Sequence, residues 1–589
     1  MKKLKGEIKM KLKLESAHNQ LIQEVNQDLL MEYTKNVSSE IRLSGTEEEY
    51  RAFEYVKAKL EEFGLDTELT LNDAYISLPG EAELKIDGQC FSCITHSMAV
   101  STMQQGIEGE VVYAGKAVSA NYEDTPVQGK IALLDGLAIP GAVLQAQEAG
   151  AKAVIFINAE YTHEMIVSAV WGNPTPVTQK ALPSIPVVSV NFEDGKIIKE
   201  IVEKGSCSGW MKTQVDTKWR EIPTLTAVIE GNIEPEKYVM FSGHIDSWHY
   251  GVMDNGTADA TIIEVARILA ENKEKLRRSL KLAFWSGHSH GRYAGSALYC
   301  DEHWEDLYEN CVLHINIDSV GGQGATILTE ANCMAETKDL AKRFIKELAG
   351  DDFEGSRFGR AGDQSFWGPG VPSLFMGLSE QPKSNNPASK AFSQLFGGGK
   401  AGGFGWWWHT TEDTLDKISP ENLVRDCQIY LSIVYEACSC DILPINQLAA
   451  VEELESFIRD YQTKTNGHLD FSVTFMRIAE IKEKITEFQS LTDLPLSKEK
   501  ISLVNNTIVI LSRILVTLNY VKGDRFHHDA ALKQSPIPVL AECEKLAVLE
   551  AGSHEFYLVL TELRRNLNKV NYSFLEAIRT VKYAVEQLK

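Results

Sequence analysis

Four clusters in the 589-residue chain put His or Asp directly after an apolar run: GHIDSWHYGVMDNGTADA from Gly243, GHSHGRYAGS from Gly287, INIDSVGG from Ile315 and WWWHTTEDT from Trp406. Imidazole and carboxylate are suitable ligands for zinc and similar divalent ions. One such residue at a strand end is ordinarily a cap or a surface group. Four clusters in chain order, each closing an apolar run, point to a shared metal centre. The second cluster carries two imidazoles, His288 and His290, on either side of Ser289. Either could bind an ion, or could move protons, because an unperturbed pKa of about 6.5 suits transfer at neutral pH.

The elements that position these clusters are legible in outline. Residues from about 17 to 70 read as helices; EEEYRAFEYVKAKLEEFGLD has apolar residues at helical spacing and Gly64 as a C-cap. From about Tyr75 to Thr224 the chain shifts to short β-branched runs separated by Gly and Pro, predicting a compact, strand-rich insert. YVMFSGHID, RSLKLAFWSG, CVLHINIDSVG and VPSLFMGLSE then alternate with helical stretches, predicting a mainly parallel sheet covered on both faces. In such sheets the ligand site lies beyond the carboxyl ends of the strands. From about Ile445 the pattern is helical to the end. The domains read as 1–74 helical lead, 75–224 insert, 225–444 catalytic domain and 445–589 helical tail.

Composition narrows the partners. The net charge of −23 repels nucleic acid and anionic membrane surfaces. The basic N-terminus has no apolar h-region, and no run approaches the ~18 apolar residues of a membrane span. Ten cysteines without a regular framework read as reduced thiols, and Cys90 and Cys93 lack the second pair that a zinc site needs. The expectation is a cytoplasmic protein without nucleic-acid or membrane partners.

Together these motifs resemble the di-zinc aminopeptidase-like metallopeptidases that include glutamate carboxypeptidase and transferrin receptor. SGHIDSW resembles the family's H-x-D strand end, GVMDNGTADA its D-N-x-S-G-type turn, NIDSVGG its later Asp strand end, AGDQSF its S-D-H segment and HTTEDTLDKI its final His motif. The resemblance spans nearly the whole chain and implies an inserted protease-associated domain and a helical dimerisation tail. It implies that His244 and Asp318 bind one metal ion, most simply zinc, that His409 binds a second, that Asp254 bridges the two, and that Asp246 orients His244. The departure lies in the second cluster. The family has Glu-Glu-x-Gly-Leu-x-Gly-Ser, a general base followed by a ligand; this chain has His-Ser-His. Counting from Gly295-Ser296 puts Ser289 and His290 in those places; counting from Trp285 puts His288 and Ser289 there. A one-residue insertion reconciles the two, with His288 as base, Ser289 extra and His290 as ligand. The rival readings are that His290 binds metal with no side-chain base left, or that both histidines only hydrogen-bond within a decayed site. Three His and two Asp make a less negative set than the family's, favouring zinc, cobalt or iron over harder ions.

The reading that follows is a two-metal hydrolase of a peptide or small amide C–N bond, working by attack of a metal-bound hydroxide. Arg292, Tyr293 and Trp408 are candidate substrate contacts beside the site. The Gly-rich FGGGKAGGFG reads as a flexible loop or lid. Two other readings stay open: a binding protein of the transferrin receptor type, and a metal-dependent hydrolase of a cyclic amide or carbamoyl substrate.

Overall fold

The computed structural model describes residues 18–396 and 399–589. The basic start of the chain, and part of the Gly-rich loop expected beside the site, lie outside the described residues.

The lead is two helices, α1 (Gln27–Val37) and α2 (Glu47–Glu62). The Asn26 side chain accepts from the amides of Asp28 and Leu29, and Thr46 from Glu49, which satisfies first-turn N–H groups. Strand β1 (Thr67–Ile86) follows. The insert then contributes β2 (Gln89–Phe91), β3 (Ile94–Thr95), β4 (Ile107–Lys116), β5 (Ile131–Asp135), α3 (Pro140–Glu148), β6 (Ala153–Ile157), β7 (Val187–Val190) and α4 (Phe192–Glu203). Strands β4, β5, β6 and β7 are parallel neighbours. IALLD and AVIFI are almost wholly buried, as expected of strands covered on both faces.

Strand β8 (Cys207–Ile229) joins the two halves. Its first residues pair with β4, its last with β10, and β1 runs antiparallel along most of its length. Beyond it come β9 (Glu234–His244), α5 (Thr257–Glu271), β10 (Arg278–Trp285), α6 (Ala294–Glu302), α7 (Trp304–Asn310), β11 (Cys311–Asn316), α8 (Lys338–Ala349), β12 (Ser373–Leu374), α9 (Pro387–Phe396) and α10 (Pro420–Ser439). The strand order is β12-β11-β9-β10-β8, with the first four parallel. The chain is therefore an α/β protein with a mixed sheet flanked by helices, a β-rich insert and a helical C-terminal region.

This order decides where the site forms. Strand β9 lies between β10 and β11, so the polar residues after all three strands emerge at one edge. The strands are anchored by buried Val239, Phe241, Leu280, Leu282 and Ile315. Each such side chain contributes about 1.5–3 kcal/mol on full burial. That packing makes the strand ends rigid enough to hold ligands.

The tail is α11 (Gln447–Lys464), α12 (Ser472–Thr492), α13 (Lys498–Tyr520) and α14 (His554–Leu588). Helix α13 corrects one expectation from the sequence: by length and composition it is apolar enough to cross a membrane. In the fold most of its apolar residues are buried, Val504, Leu511, Leu515 and Val516 among them, while Ile510 is exposed.

Candidate metal centre

His244 is the last residue of β9, and its Nδ1 lies 2.9 Å from the carbonyl oxygen of Asp246. A carbonyl only accepts, so the proton sits on Nδ1 and the Nε2 lone pair faces the site. Nε2 lies 3.2 Å from Asp254 Oδ1 and 3.7 Å from Asp318 Oδ2, and it is buried with no hydrogen-bond partner. The other oxygen of Asp254 is 2.9 Å from His409 Nε2. One carboxylate thus has an imidazole at each oxygen, the arrangement of a bridging ligand. His409 Nδ1 lies 2.6 Å from the carbonyl of Glu164, in the insert, which fixes its tautomer in the same way.

Two further groups hold the Asp254 turn. Asp413 accepts from the amides of Met253 at 2.9 Å and Asp254 at 3.0 Å. Burial pushes its carboxyl up to about 7 against those bonds. Gly251 sits at φ 51°, and a Cβ there would come within 2.3 Å of the Asp254 carbonyl, so the tight approach needs glycine.

The His-Ser-His cluster forms a one-turn helix after β10. The Asp246 carboxylate accepts from the amides of His288 at 3.2 Å and Ser289 at 2.8 Å, and from Ser44 Oγ at 2.8 Å. Burial works against the Asp246 charge, but His244 and His290 beside it hold its carboxyl well below the usual range. Asp246 therefore ties the second cluster to the first, and touches His244 mainly through its own carbonyl.

His290 is fully buried. Ser44 Oγ gives its proton to Asp246, so at 2.9 Å it can accept from a protonated His290 Nδ1, whereas the Ser44 amide, 3.3 Å from the same nitrogen, donates to it in the other tautomer. His290 Nε2 is buried without a hydrogen-bond partner. Burial holds this imidazole below its ordinary pKa despite Asp246, so it is neutral. An unpartnered buried ring nitrogen calls for an explanation, and a bound cation supplies one.

His288 is placed differently. Its ring stacks on His244, with centroids 3.7 Å apart and planes 12° from parallel. His244, His288 and Asp318 bring their ligand atoms within 4.8 Å of one another. Imidazole donates in its ring plane, however, and two rings stacked face to face share no in-plane ion. An ion held by His244 thus leaves His288 beside it rather than on it. His288 Nδ1 lies 2.7 Å from Asp363 Oδ2. The imidazoles of His244 and His409 at the two oxygens of Asp254, with Asp318 beside His244, make a donor set that fits divalent metal.

The three candidate substrate contacts are mostly enclosed. Trp408 stacks on His409 at 3.4 Å and packs on Phe404, backing that imidazole rather than facing an opening. Trp407 points its Nε1 at Met253 Sδ, 3.3 Å away, and Trp406 stacks on Tyr161. Tyr293 packs on Trp171 of the insert and meets His288 edge-on at 4.9 Å. The Arg292 guanidinium lies over the Tyr293 ring and reaches the carbonyl of Ala531 at 3.5 Å.

Sequence reasoning passed over several residues. Arg42, in the loop between α1 and α2, is fully buried beneath the site and donates to four carbonyls. Nothing in IRLSG distinguishes it from a surface arginine. Glu164 acts through its backbone, which no side-chain pattern reports. Asp363 stood inside the AGDQSF motif without a role; an acid after a glycine at the approach to a strand was the available signal.

Comparison with known proteins agrees with this geometry. Residues 224–434 match peptidase family M28, and residues 107–198 match the PA domain. The probable glutamate carboxypeptidase VP8 of Zea mays is 25% identical over 351 residues, 48% of this chain and 49% of that protein, so the match spans about half the length of this relative. Aminopeptidase YwaD of Bacillus subtilis (strain 168) is 22% identical over 409 residues, covering 67% of this chain and 81% of that protein. Among solved structures, an aminopeptidase from Aneurinibacillus sp. strain AM-1 has a TM-score of 0.53 at 22% identity, covering 71% of this chain and 96% of its own. A zinc aminopeptidase from Bacillus subtilis has a TM-score of 0.51 at 20% identity, covering 72% and 96%. These structures share the fold.

Proposed function

We propose, from the premise that this chain carries a catalytic domain of the M28 metallopeptidases with a PA domain, that it is a metal-dependent hydrolase of peptide or small amide C–N bonds using two ions, most simply zinc. The observation that carries the reading is Asp254, with His244 at 3.2 Å from one oxygen and His409 at 2.9 Å from the other. When bound, such ions polarise a carbonyl and lower the pKa of the attacking water. The chain's own residues do the rest. His288 presents Nε2 beside the ligand cluster, takes a proton there and passes it to the leaving nitrogen. Asp246 and Asp363 hold the turn and the ring that carry it.

Several further features belong to the same proposal. The insert is taken as 75–224 and the catalytic domain as 225–444. Exposed Tyr572 and Tyr583 on α14, with Val473 and Met476 on α12, support a homodimer formed through the tail. A reducing, cytoplasmic location goes with the ten unpaired cysteines.

The test begins with protein loaded with zinc and confirmed by metal analysis. It is offered peptides with free N-termini, N-acyl amino acids and small amides, and the released amine is assayed. Release that disappears on chelation and returns with zinc is expected. Full metal content without release from any class would overturn the hydrolase reading.

A further inference from the structure

A buried chain of hydrogen bonds runs from the insert to His288. Trp171 Nε1 donates to Ser365 Oγ at 2.9 Å, Ser365 Oγ is 2.9 Å from Ser296 Oγ, and Ser296 Oγ donates to Asp363 Oδ1 at 2.8 Å. Asp363 Oδ2 is then 2.7 Å from His288 Nδ1. Asp363 and Ser296 have no exposure at all, and Trp171 and Ser365 each have 3%.

The direction of this chain is set at both ends. An indole N–H can only donate, and a carboxylate can only accept. Ser296 therefore gives its proton to Asp363 Oδ1, a shorter contact than its 3.3 Å alternative to the Tyr293 carbonyl, and accepts from Ser365, which accepts from Trp171. The other carboxylate oxygen, Oδ2, accepts from His288 Nδ1.

We propose that Asp363, polarised through Ser296 and Ser365 by Trp171 of the insert, sets the tautomer of His288, with the proton on Nδ1 and the lone pair on Nε2 facing the ligand cluster. Asp363 is thus a positioning residue. The insert takes part in the chemistry through the orientation of one imidazole, without itself touching the reacting atoms. Only the rate consequence of this assignment rests on the hydrolase reading.

The variant Asp363→Asn makes the test sharp. Ser296 still donates to the Oδ1 position, so the amide oxygen settles there and the NH2 group faces His288 Nδ1. That nitrogen must then accept, and the proton moves to Nε2. The measurement is nitrogen-15 NMR on zinc-loaded protein with labelled histidine, the His288 signals being identified by their loss in His288→Gln. Wild type is expected to show the Nδ1-protonated form and Asp363→Asn the Nε2-protonated form. Trp171→Phe, which keeps a ring but removes the donor, is expected to show a mixture of both. On a hydrolysed substrate, Asp363→Asn should lower kcat by about a hundredfold to ten-thousandfold, with KM and zinc content unchanged. A wild-type spectrum with the proton on Nε2, or a wild-type pattern in either variant, overturns the assignment. The spectra are read without substrate, so they decide it even if the hydrolase reading fails.

Discussion

Arg42 is the residue whose loss should cost the catalytic domain most. Its guanidinium donates to the carbonyls of Ile245 at 2.8 Å, Tyr250 at 2.8 Å, Gly251 at 3.0 Å and Glu40 at 3.2 Å. Three of these belong to the loop between His244 and Asp254. Burial draws the guanidinium pKa down, while Asp259, Asp413, Asp246 and Asp254 around it hold it up. Arg42→Met keeps most of the volume but strands four carbonyls and removes the positive charge among four acids. Removing one partner from a buried ionic group costs about 3–5 kcal/mol. At roughly 2–4 °C per kcal/mol for a unit of this size, the melting temperature should fall by roughly 6–20 °C. The effect depends on metal, because bound cations beside Asp246 and Asp254 replace part of the missing charge. Scanning calorimetry of stripped and zinc-loaded protein measures both values, and the larger drop belongs to the stripped form. A drop of less than about 2 °C in stripped protein would refute the view that Arg42 neutralises this cluster.

Other predictions concern the metal, the ligands and pH. Chelation should lower the melting temperature of wild type by an amount that grows with the free zinc it was equilibrated with, about 4 kcal/mol at a thousand times Kd, and a shift independent of zinc would exclude binding to the folded state. Asp254→Asn should lose both ions, whereas His290→Ala should keep one and lose the other; mass spectrometry of metal content separates these outcomes, and two ions retained in His290→Ala would remove that residue from the ligand set. Glu336 is buried, which pushes its carboxyl up from 4.5 to about 7. The folded state therefore holds this proton more tightly than the unfolded chain, and the stability it contributes is full below 4.5 and lost as pH rises through 7. Glu336→Gln should thus be more stable than wild type at pH 8, by up to about 3 kcal/mol, with the gain vanishing near pH 4.5. Denaturant unfolding at the two pH values checks this, and an equal effect at both would refute it.

Much was legible from residue types. The apolar runs ending in His or Asp marked β9, β10 and β11, and His244 and Asp318 stood out because polar residues close behind buried strands need a reason to be there; Asp254 and His409, which lie in turns, were singled out by the family resemblance. The change from β-branched runs to helical periodicity near Ile445 marked the tail. Sequence spacing left the His-Ser-His cluster open between competing alignments, because a one-residue shift changes which imidazole faces which neighbour. It also missed the apolar character of α13, whose scattered polar residues interrupt every apolar run while leaving the average high.

What the sequence by itself determined was chemistry in kind: imidazoles and carboxylates at strand ends, in a chain whose alternation demands a parallel sheet. Only the tertiary structure decided how they meet. Strand order places β9 between β10 and β11, and that order comes from long-range pairing that local pattern does not encode. The stacking of His288 on His244, the reach of Asp363 to His288, the Glu164 carbonyl behind His409 and the Arg42 guanidinium beneath the turn join residues 44 to 245 positions apart. Orientation at that distance is set by the packing of rigid elements, so it exists only once the chain has folded.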